Sequence, residues 1–319
     1  MRVSVNWLKD YVDIEASAEE LARQLTMLGL EIEAVECPGA EITDVYVGKI
    51  LEIEPHPDAD KLVVCRTDVG GEAPAQIICG AKNMQVGDKV PTAVVGATLP
   101  GDFKITRRKM RGVESQGMMC SAAELGLGED HSGLLILEAD APLGEDVKPL
   151  LGLDDVVFEI EVTPNRGDWA SMIGVARELA ALYGKPMRIP EIEFEESDPP
   201  ADTLSSVTIE DPDLGPRYVG RVLTEVTIGP SPAWMAQRLV AAGMRPINNI
   251  VDITNYVLME TGHPLHAFDY DKLEEHRIVV RRPRDGETIE TLDDEKHELG
   301  PDMLVIADAK SPQAVAGIM

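Results

Sequence analysis

The sequence predicts a multi-domain α+β protein: a split helical N-terminal domain holding an inserted β-barrel, followed by a third, mixed α/β region. Three observations carry this. The first forty residues show helical periodicity behind a capping signal. From about Asp44 the pattern changes to short alternating runs between Gly, Pro, Asp and Asn. After Pro142 the helical pattern returns, as though the β module had been set inside a helical one. The expected boundaries are 1–40 and 150–190 for the discontinuous helical domain, 41–149 for the β module, 190–203 for a linker and 204–319 for the third domain.

Each element has a local reason. Ser17-Ala18-Glu19-Glu20 has the capping-box spacing, in which hydroxyl and carboxylate each satisfy free backbone N–H groups, and ARQLTMLGLE continues it until Gly29 stops the helix. The runs VYVGKILEIE, KLVVCRTDVG, AQIICGA, KVPTAVVGATLP and GLLILE then read as strands of a small barrel or sandwich. Gly167–Tyr183 places Trp169, Met172, Ile173, Ala176, Leu179 and Tyr183 on one stripe, with Asp168 as the expected N-cap and Gly184 before Pro186 as the stop. PEIEFEESDPPADT, 190–203, is acidic, contains proline and lacks a core pattern. In the third region Ser231-Pro232 is expected to act as N-cap and first turn of a helix that Gly243 closes. The final VIADAKSPQAVAGIM has strand-like apolar runs and stops on Met319 without a polar cap or turn, and the expectation is a chain cut off inside this region.

Composition narrows the function classes. No segment approaches the roughly 20 apolar residues of a membrane helix and no export signal opens the chain, so a cytoplasmic protein without a membrane partner is expected. Cys37, Cys65, Cys79 and Cys120 form no CxxC pair, which suggests neither a disulfide framework nor a zinc knuckle. The formal net charge of −28 argues against a nucleic-acid partner if taken as a sum. Recognition happens at patches, and Phe103–Gly112 (FKITRRKMRG) breaks the acidic trend with Lys104, Arg107, Arg108, Lys109 and Arg111 and no acid among them. Alone, such a run reads as a solvated strand-and-turn face.

The run does not stand alone. His56-Pro57-Asp58-Ala59-Asp60-Lys61-Leu62, Cys79-Gly80-Ala81-Lys82-Asn83, Met110-Arg111-Gly112-Val113-Glu114-Ser115-Gln116-Gly117-Met118-Met119-Cys120-Ser121 and Glu124-Leu125-Gly126-Leu127 follow one another in an order that resembles the OB-fold tRNA-binding domain of synthetases and tRNA-associated factors. That resemblance covers about 110 residues and implies a barrel whose basic edge tracks RNA phosphates. Read singly, HPDADKL and RGVESQGM are also good structural turns.

Around the module, VSVNWLKDYVD, LGLEIEAVE and Glu159-Ile160-Glu161-Val162-Thr163-Pro164-Asn165-Arg166 resemble the β-subunit family of bacterial phenylalanyl-tRNA synthetases; Gly167 and Trp169 depart from the family's usual Pro and Cys. Arg245-Pro246-Ile247-Asn248-Asn249, Val251-Asp252-Ile253-Thr254-Asn255-Tyr256-Val257 and Gly262-His263-Pro264-Leu265-His266-Ala267-Phe268-Asp269 resemble the family's editing domain, here incomplete at its C-terminus. The resemblance implies removal of tyrosine wrongly attached to phenylalanine tRNA. It puts Arg245 and His266 at the cleft for the tRNA 3′ end and Thr254 and Asn255 beside the amino-acid pocket. It puts a tyrosine-sensing glutamate beyond the final GIM. It also implies an α subunit partner in an α2β2 assembly, where ATP and Mg2+ serve a synthetic site outside these residues; no cofactor is expected in this segment, and no DNA partner.

Chemistry gives such a site a reason. A pocket shaped for phenylalanine rejects an isostere with one added hydroxyl by only about a hundredfold, so a second, hydrolytic site must test for that hydroxyl. Ester hydrolysis needs a positioned water and a stabilised oxyanion; His266 would orient the water or terminal adenosine, and Arg245 would hold phosphate or ribose. His263 and His266 lack a third ligand at metal spacing, so no metal is expected. Asp252 and Asp269 read as turn or cap residues. Two other classes stay open: a tRNA-binding module with an inert third domain, and a free-standing editing factor.

Overall fold

The computed structural model describes residues 1–128, 131–292 and 294–317. The chain divides into two compact units. The first comprises Met1–Ile189, Ser231–Ile247 and Asn255–His263; the second comprises Pro190–Pro230, Asn248–Thr254 and the chain from Pro264 on. The 204–319 region thus contributes to both.

The first unit opens with strand β1 (Arg2–Ser4), a single helical turn α1 (Val5–Leu8), helix α2 (Ala18–Leu28) and strand β2 (Glu31–Glu36). The Ser17 hydroxyl caps α2 by accepting from the Glu20 N–H at 3.3 Å. The second half of the expected capping box does not close, because the Glu20 carboxylate turns to Arg23 and Gln24. Leu21 and Leu25, four apart, are fully buried, and Gly29 ends the helix in the left-handed conformation with φ +99°.

The β module begins with β3 (Thr43–Pro55), then β4 (Val63–Asp68), β5 (Ala75–Cys79), β6 (Lys89–Leu99), β7 (Phe103–Lys104), β8 (Arg108–Met110), β9 (Val113–Ser115) and β10 (Gly117–Met119). One antiparallel sheet runs in the order β10-β6-β3-β4-β5, with β7 also on β6. The sheet curls into a half-barrel. Its far edges approach each other where the Gln116 N–H donates to the Gln76 carbonyl at 2.8 Å and the Ile78 N–H donates to the Ser115 hydroxyl at 3.1 Å. Gly48 permits the curl on the long central strand: a Cβ there would lie 2.3 Å from the Thr92 hydroxyl oxygen. Alternate residues of β3, β4 and β6 fill the interior, among them Val45, Val47, Ile50, Cys65, Val90 and Ala93. All four cysteines are free thiols, and burial pushes Cys65 up to about 11 and Cys120 up to about 12, which leaves both unreactive at neutral pH.

After the short helix α3 (Val147–Leu151) comes strand β11 (Val157–Glu161), which lies between β1 and β2 and is antiparallel to both. Segments more than 120 residues apart therefore share one sheet. Asp155 reinforces the join, its carboxylate accepting from the Ser4 hydroxyl and the Asn6 N–H. The flanks read as helical thus also carry strands, which the in-and-out alternation of EIEAVE encodes. Trp7, Leu8, Tyr11, Leu21, Leu25, Phe158, Trp169, Met172, Val175 and Leu179 make their common core.

Helix α4 (Met172–Tyr183) has a different N-cap from the expected one. Ser171 accepts from the Gly174 N–H at 2.9 Å, whereas Asp168 sits in a preceding 3-10 turn and pairs with Arg166. The hydroxyl wins because it stands at the last non-helical residue, within reach of the third N–H of the first turn. Gly184 closes the helix, as the sequence predicts. Ser171→Ala is expected to lower the stability of this unit by about 1 kcal/mol, seen as a lower urea midpoint at unchanged slope.

The short helix α5 (Ala201–Leu204) and strand β12 (Ser206–Ile209) belong to the second unit, and helix α6 (Ala233–Ala241) to the first. Helix α6 starts one residue later than expected, with Pro232 in an extended conformation at the cap position. Helix α7 (Asn249–Thr261) follows, its leading N–H groups at Ile250 and Val251 donating to the Asn248 side chain. In its C-terminal part Tyr256 stacks on Trp7 with ring centres 4.6 Å apart, and Glu260 accepts from the Tyr11 hydroxyl.

The second unit is built on β12, β13 (Arg277–Arg281), β16 (Val305–Ala307) and β17 (Pro312–Val315), adjacent in that order, with a separate pair β14 (Thr288–Glu290) and β15 (Lys296–Glu298). β12 and β13 are parallel; the other pairings are antiparallel. Its core is small: Leu273, Ile278 and Val280 form one cluster, Ile289, Leu299, Val305 and Ala307 another.

Candidate nucleic-acid interface

The five basic residues of the FKITRRKMRG run lie on β7, on the separate β8–β9 hairpin and in the loop between them. Lys104 lies on β7, Arg107 in the loop after it, Arg108 and Lys109 on β8, and Arg111 at the tip of the β8–β9 hairpin. Arg111 and Gly112 both have positive φ, +46° and +90°, which is the two-residue turn whose twist suits tightly paired strands. The side chains are exposed, and their acidic contacts are loose: Lys104 to Asp102 at 3.7 Å and Arg107 to Glu114 at 4.0 Å. Exposed pairs of this kind are worth at most about 1 kcal/mol, so phosphates can displace them.

The neighbouring motifs hold this hairpin. His56 is buried in the HPDADKL turn; its Nδ1 accepts from the Asp58 N–H, which leaves Nε2 to donate to the Met110 carbonyl, both at 3.1 Å. Arg111 donates to the Asp58 carbonyl at 3.0 Å. The Asn83 amide clamps Leu134 by donating to its carbonyl and accepting from its N–H, each at 2.9 Å. Ser121 and Glu124 complete a capping box on the turn Ala123–Leu125. These motif residues act as turn fasteners, and the charged side chains between them face solvent.

Residues 45–146 hold ten Lys and Arg against sixteen Asp and Glu, so the module as a whole is acidic and any attraction for RNA is local to this run. Sequence reasoning passed over the apolar side chains within it. Phe103 is 44% exposed and Met110 42%, and the Arg108 guanidinium lies 5.9 Å from the Phe103 ring centre. They border a shallow recess of about 80 Å3 lined also by Ile78, Ile105, Thr106, Ser115 and Met118. An aromatic interleaved with cations was the available signal.

The other four candidate residues do not fall within one unit. Arg245 and Asn255 belong to the first, Thr254 and His266 to the second. Arg245 is exposed in the loop after α6. Thr254 and Asn255 are consecutive on α7, the Thr254 hydroxyl donating to the Val251 carbonyl at 2.7 Å and keeping its acceptor capacity. His266 lies exposed in the loop after α7, edge-on to Phe268 with ring centres 4.4 Å apart, and desolvation by its neighbours lowers its pKa below the ordinary histidine value. Asp269 caps a following 3-10 turn through the Asp271 N–H. Among the described residues no group of three His, Cys, Asp or Glu side chains is placed to hold a metal ion, and no helix is long and apolar enough to cross a membrane.

Two domain families match. Residues 45–146 fit the family described as "Putative tRNA binding domain", and residues 214–319 fit the B3/4 domain family. The half-barrel and these matches define a modular protein of the class that carries a tRNA-binding domain upstream of a B3/4 domain. Over its whole length the chain is 54% identical to the phenylalanine–tRNA ligase beta subunit of Anaeromyxobacter dehalogenans, 52% to that of Moorella thermoacetica and 50% to that of Syntrophus aciditrophicus, covering 40% of each. The chain belongs to the family of the bacterial phenylalanine–tRNA ligase beta subunit and spans about two fifths of the length of these relatives.

Proposed function

We propose that this chain is part of the β subunit of an α2β2 phenylalanine–tRNA ligase, where it contributes tRNA binding and hydrolytic editing of tyrosine mischarged onto phenylalanine tRNA. The module at 41–149 is an inserted OB-fold barrel that tracks tRNA phosphates, and 204–319 is the editing domain, incomplete here, in which Arg245 places the 3′ end, His266 orients the attacking water, and Thr254 and Asn255 flank the amino-acid pocket. ATP and Mg2+ are assigned to the synthetic site of the cytoplasmic assembly and to no residue of this chain.

The observation that carries the reading is the exposed basic hairpin Arg108–Ser115, with Lys104 and Arg107 beside it, on an otherwise acidic module. Each phosphate contact releases condensed counterions, so affinity for tRNA falls as salt rises. Changing Arg107, Arg108, Lys109 and Arg111 together to Ala is expected to weaken binding of phenylalanine tRNA roughly tenfold near 0.1 M salt and to flatten the log–log salt slope by about 3. A titration in which the variant matches the parent would place the RNA surface elsewhere. Hydrolysis of mischarged tRNA by the assembled enzyme separates the editing reading from that of a binding module alone.

A further inference from the structure

We infer that the recess beside the basic hairpin takes an unpaired nucleobase stacked on Phe103, so that the half-barrel holds single-stranded rather than duplex RNA. This rests on the RNA-binding reading above and names the form of RNA bound. Phe103 sits on a two-residue strand at the sheet rim with nearly half its surface in solvent, while Ile105, two residues on, is buried. An aromatic normally goes inside, because burying it removes 150–250 Å2 of largely apolar surface from water. This one is left out among cations.

Its surroundings suit a base. Ile78, Ile105 and Met118 give the recess an apolar lining, and Met110 borders it with an exposed, adaptable thioether. The Thr106 hydroxyl has no partner among the described residues and can meet a base edge, whereas the Ser115 hydroxyl is already engaged by the Ile78 N–H and the Gly117 carbonyl. Lys104 and Arg108, which border the recess, put positive charge beside the aromatic for the phosphates flanking a stacked base. In a duplex both faces of each base are covered by neighbours, and such RNA would meet only the charges. Stacking on one aromatic strengthens binding roughly 5- to 100-fold per base, too little to offset opening a paired helix, so the module takes bases that are already unpaired.

The test titrates the 319-residue chain with single-stranded oligoadenylate and with a blunt-ended, fully paired RNA duplex of equal nucleotide count, at several salt concentrations. The parent is expected to favour the single strand. Phe103→Ala is expected to weaken single-strand binding roughly five- to tenfold while leaving duplex binding and both salt slopes unchanged, and Phe103→Trp is expected to retain or tighten it. Equal loss on both RNAs, or no loss on either, overturns the stacking site and leaves the phosphate-tracking hairpin standing. If the parent binds neither RNA, the RNA-binding reading itself fails.

Discussion

Replacing Glu287 with alanine is expected to destabilise the second unit by about 3–5 kcal/mol. Arg281 on β13 is buried, its side chain only 4% exposed, and Glu287 is 12% exposed. The two meet in a bidentate pair at 2.7 and 2.8 Å, and Glu287 also accepts from the Arg284 N–H at 2.9 Å, which pins the turn leading to β14. Removing the carboxylate leaves a buried guanidinium whose Nε already lacks a protein acceptor. Replacing both partners at once, Arg281→Met with Glu287→Leu, is expected to cost less than Glu287→Ala, because the penalty comes from the stranded charge. Amide exchange at Val279 and Val280 would report it, and equal protection in parent and Glu287→Ala would refute it. The pH sign follows from the same pair. Hydrogen bonding to Arg281 lowers the Glu287 pKa below its ordinary value, so its stabilisation is fully present above the unfolded-state pKa, near 4.3. It is lost as pH falls through the lower folded value, and the alanine variant should lack that acid-side loss.

On the editing role proposed above, His266→Ala in the assembled enzyme is expected to slow deacylation of tyrosyl-tRNA by roughly 100-fold or more, with tRNA affinity changed little. The imidazole lies against Phe268, and the desolvation that lowers its pKa below the ordinary histidine value favours the neutral form, the one able to accept a hydrogen bond from water. Deacylation should therefore be flat above neutrality and fall as pH drops through the lowered pKa. Arg245→Ala should act differently, weakening placement of the 3′ end more than the hydrolytic step. Single-turnover deacylation of tyrosyl- and phenylalanyl-tRNA checks both. Parent-like rates for His266→Ala would remove the editing role from this residue.

Local signals in the sequence determined much of the frame. Ser17 and Gly29 bound α2, and Gly184 ends α4, because caps and left-handed stops depend on a few adjacent residues. The alternating runs from Thr43 to Leu99 announced the curled sheet, and the charge break at Lys104–Arg111 marked the candidate interface. Where two local solutions competed, the sequence could not choose. Ser171 and Asp168 are both good caps, and Asp168 was taken up by Arg166 instead. Tertiary structure alone decided the sharing of β11 between β1 and β2, since those pairings join segments more than 120 residues apart and local periodicity carries no information about distant partners. It also decided which motif residues are fasteners, His56 and Asn83 among them, and which apolar side chain stays in solvent. The cations around Phe103 in sequence marked it as unusual, but its exposure, 44% on a two-residue strand at the sheet rim, is visible only in the fold.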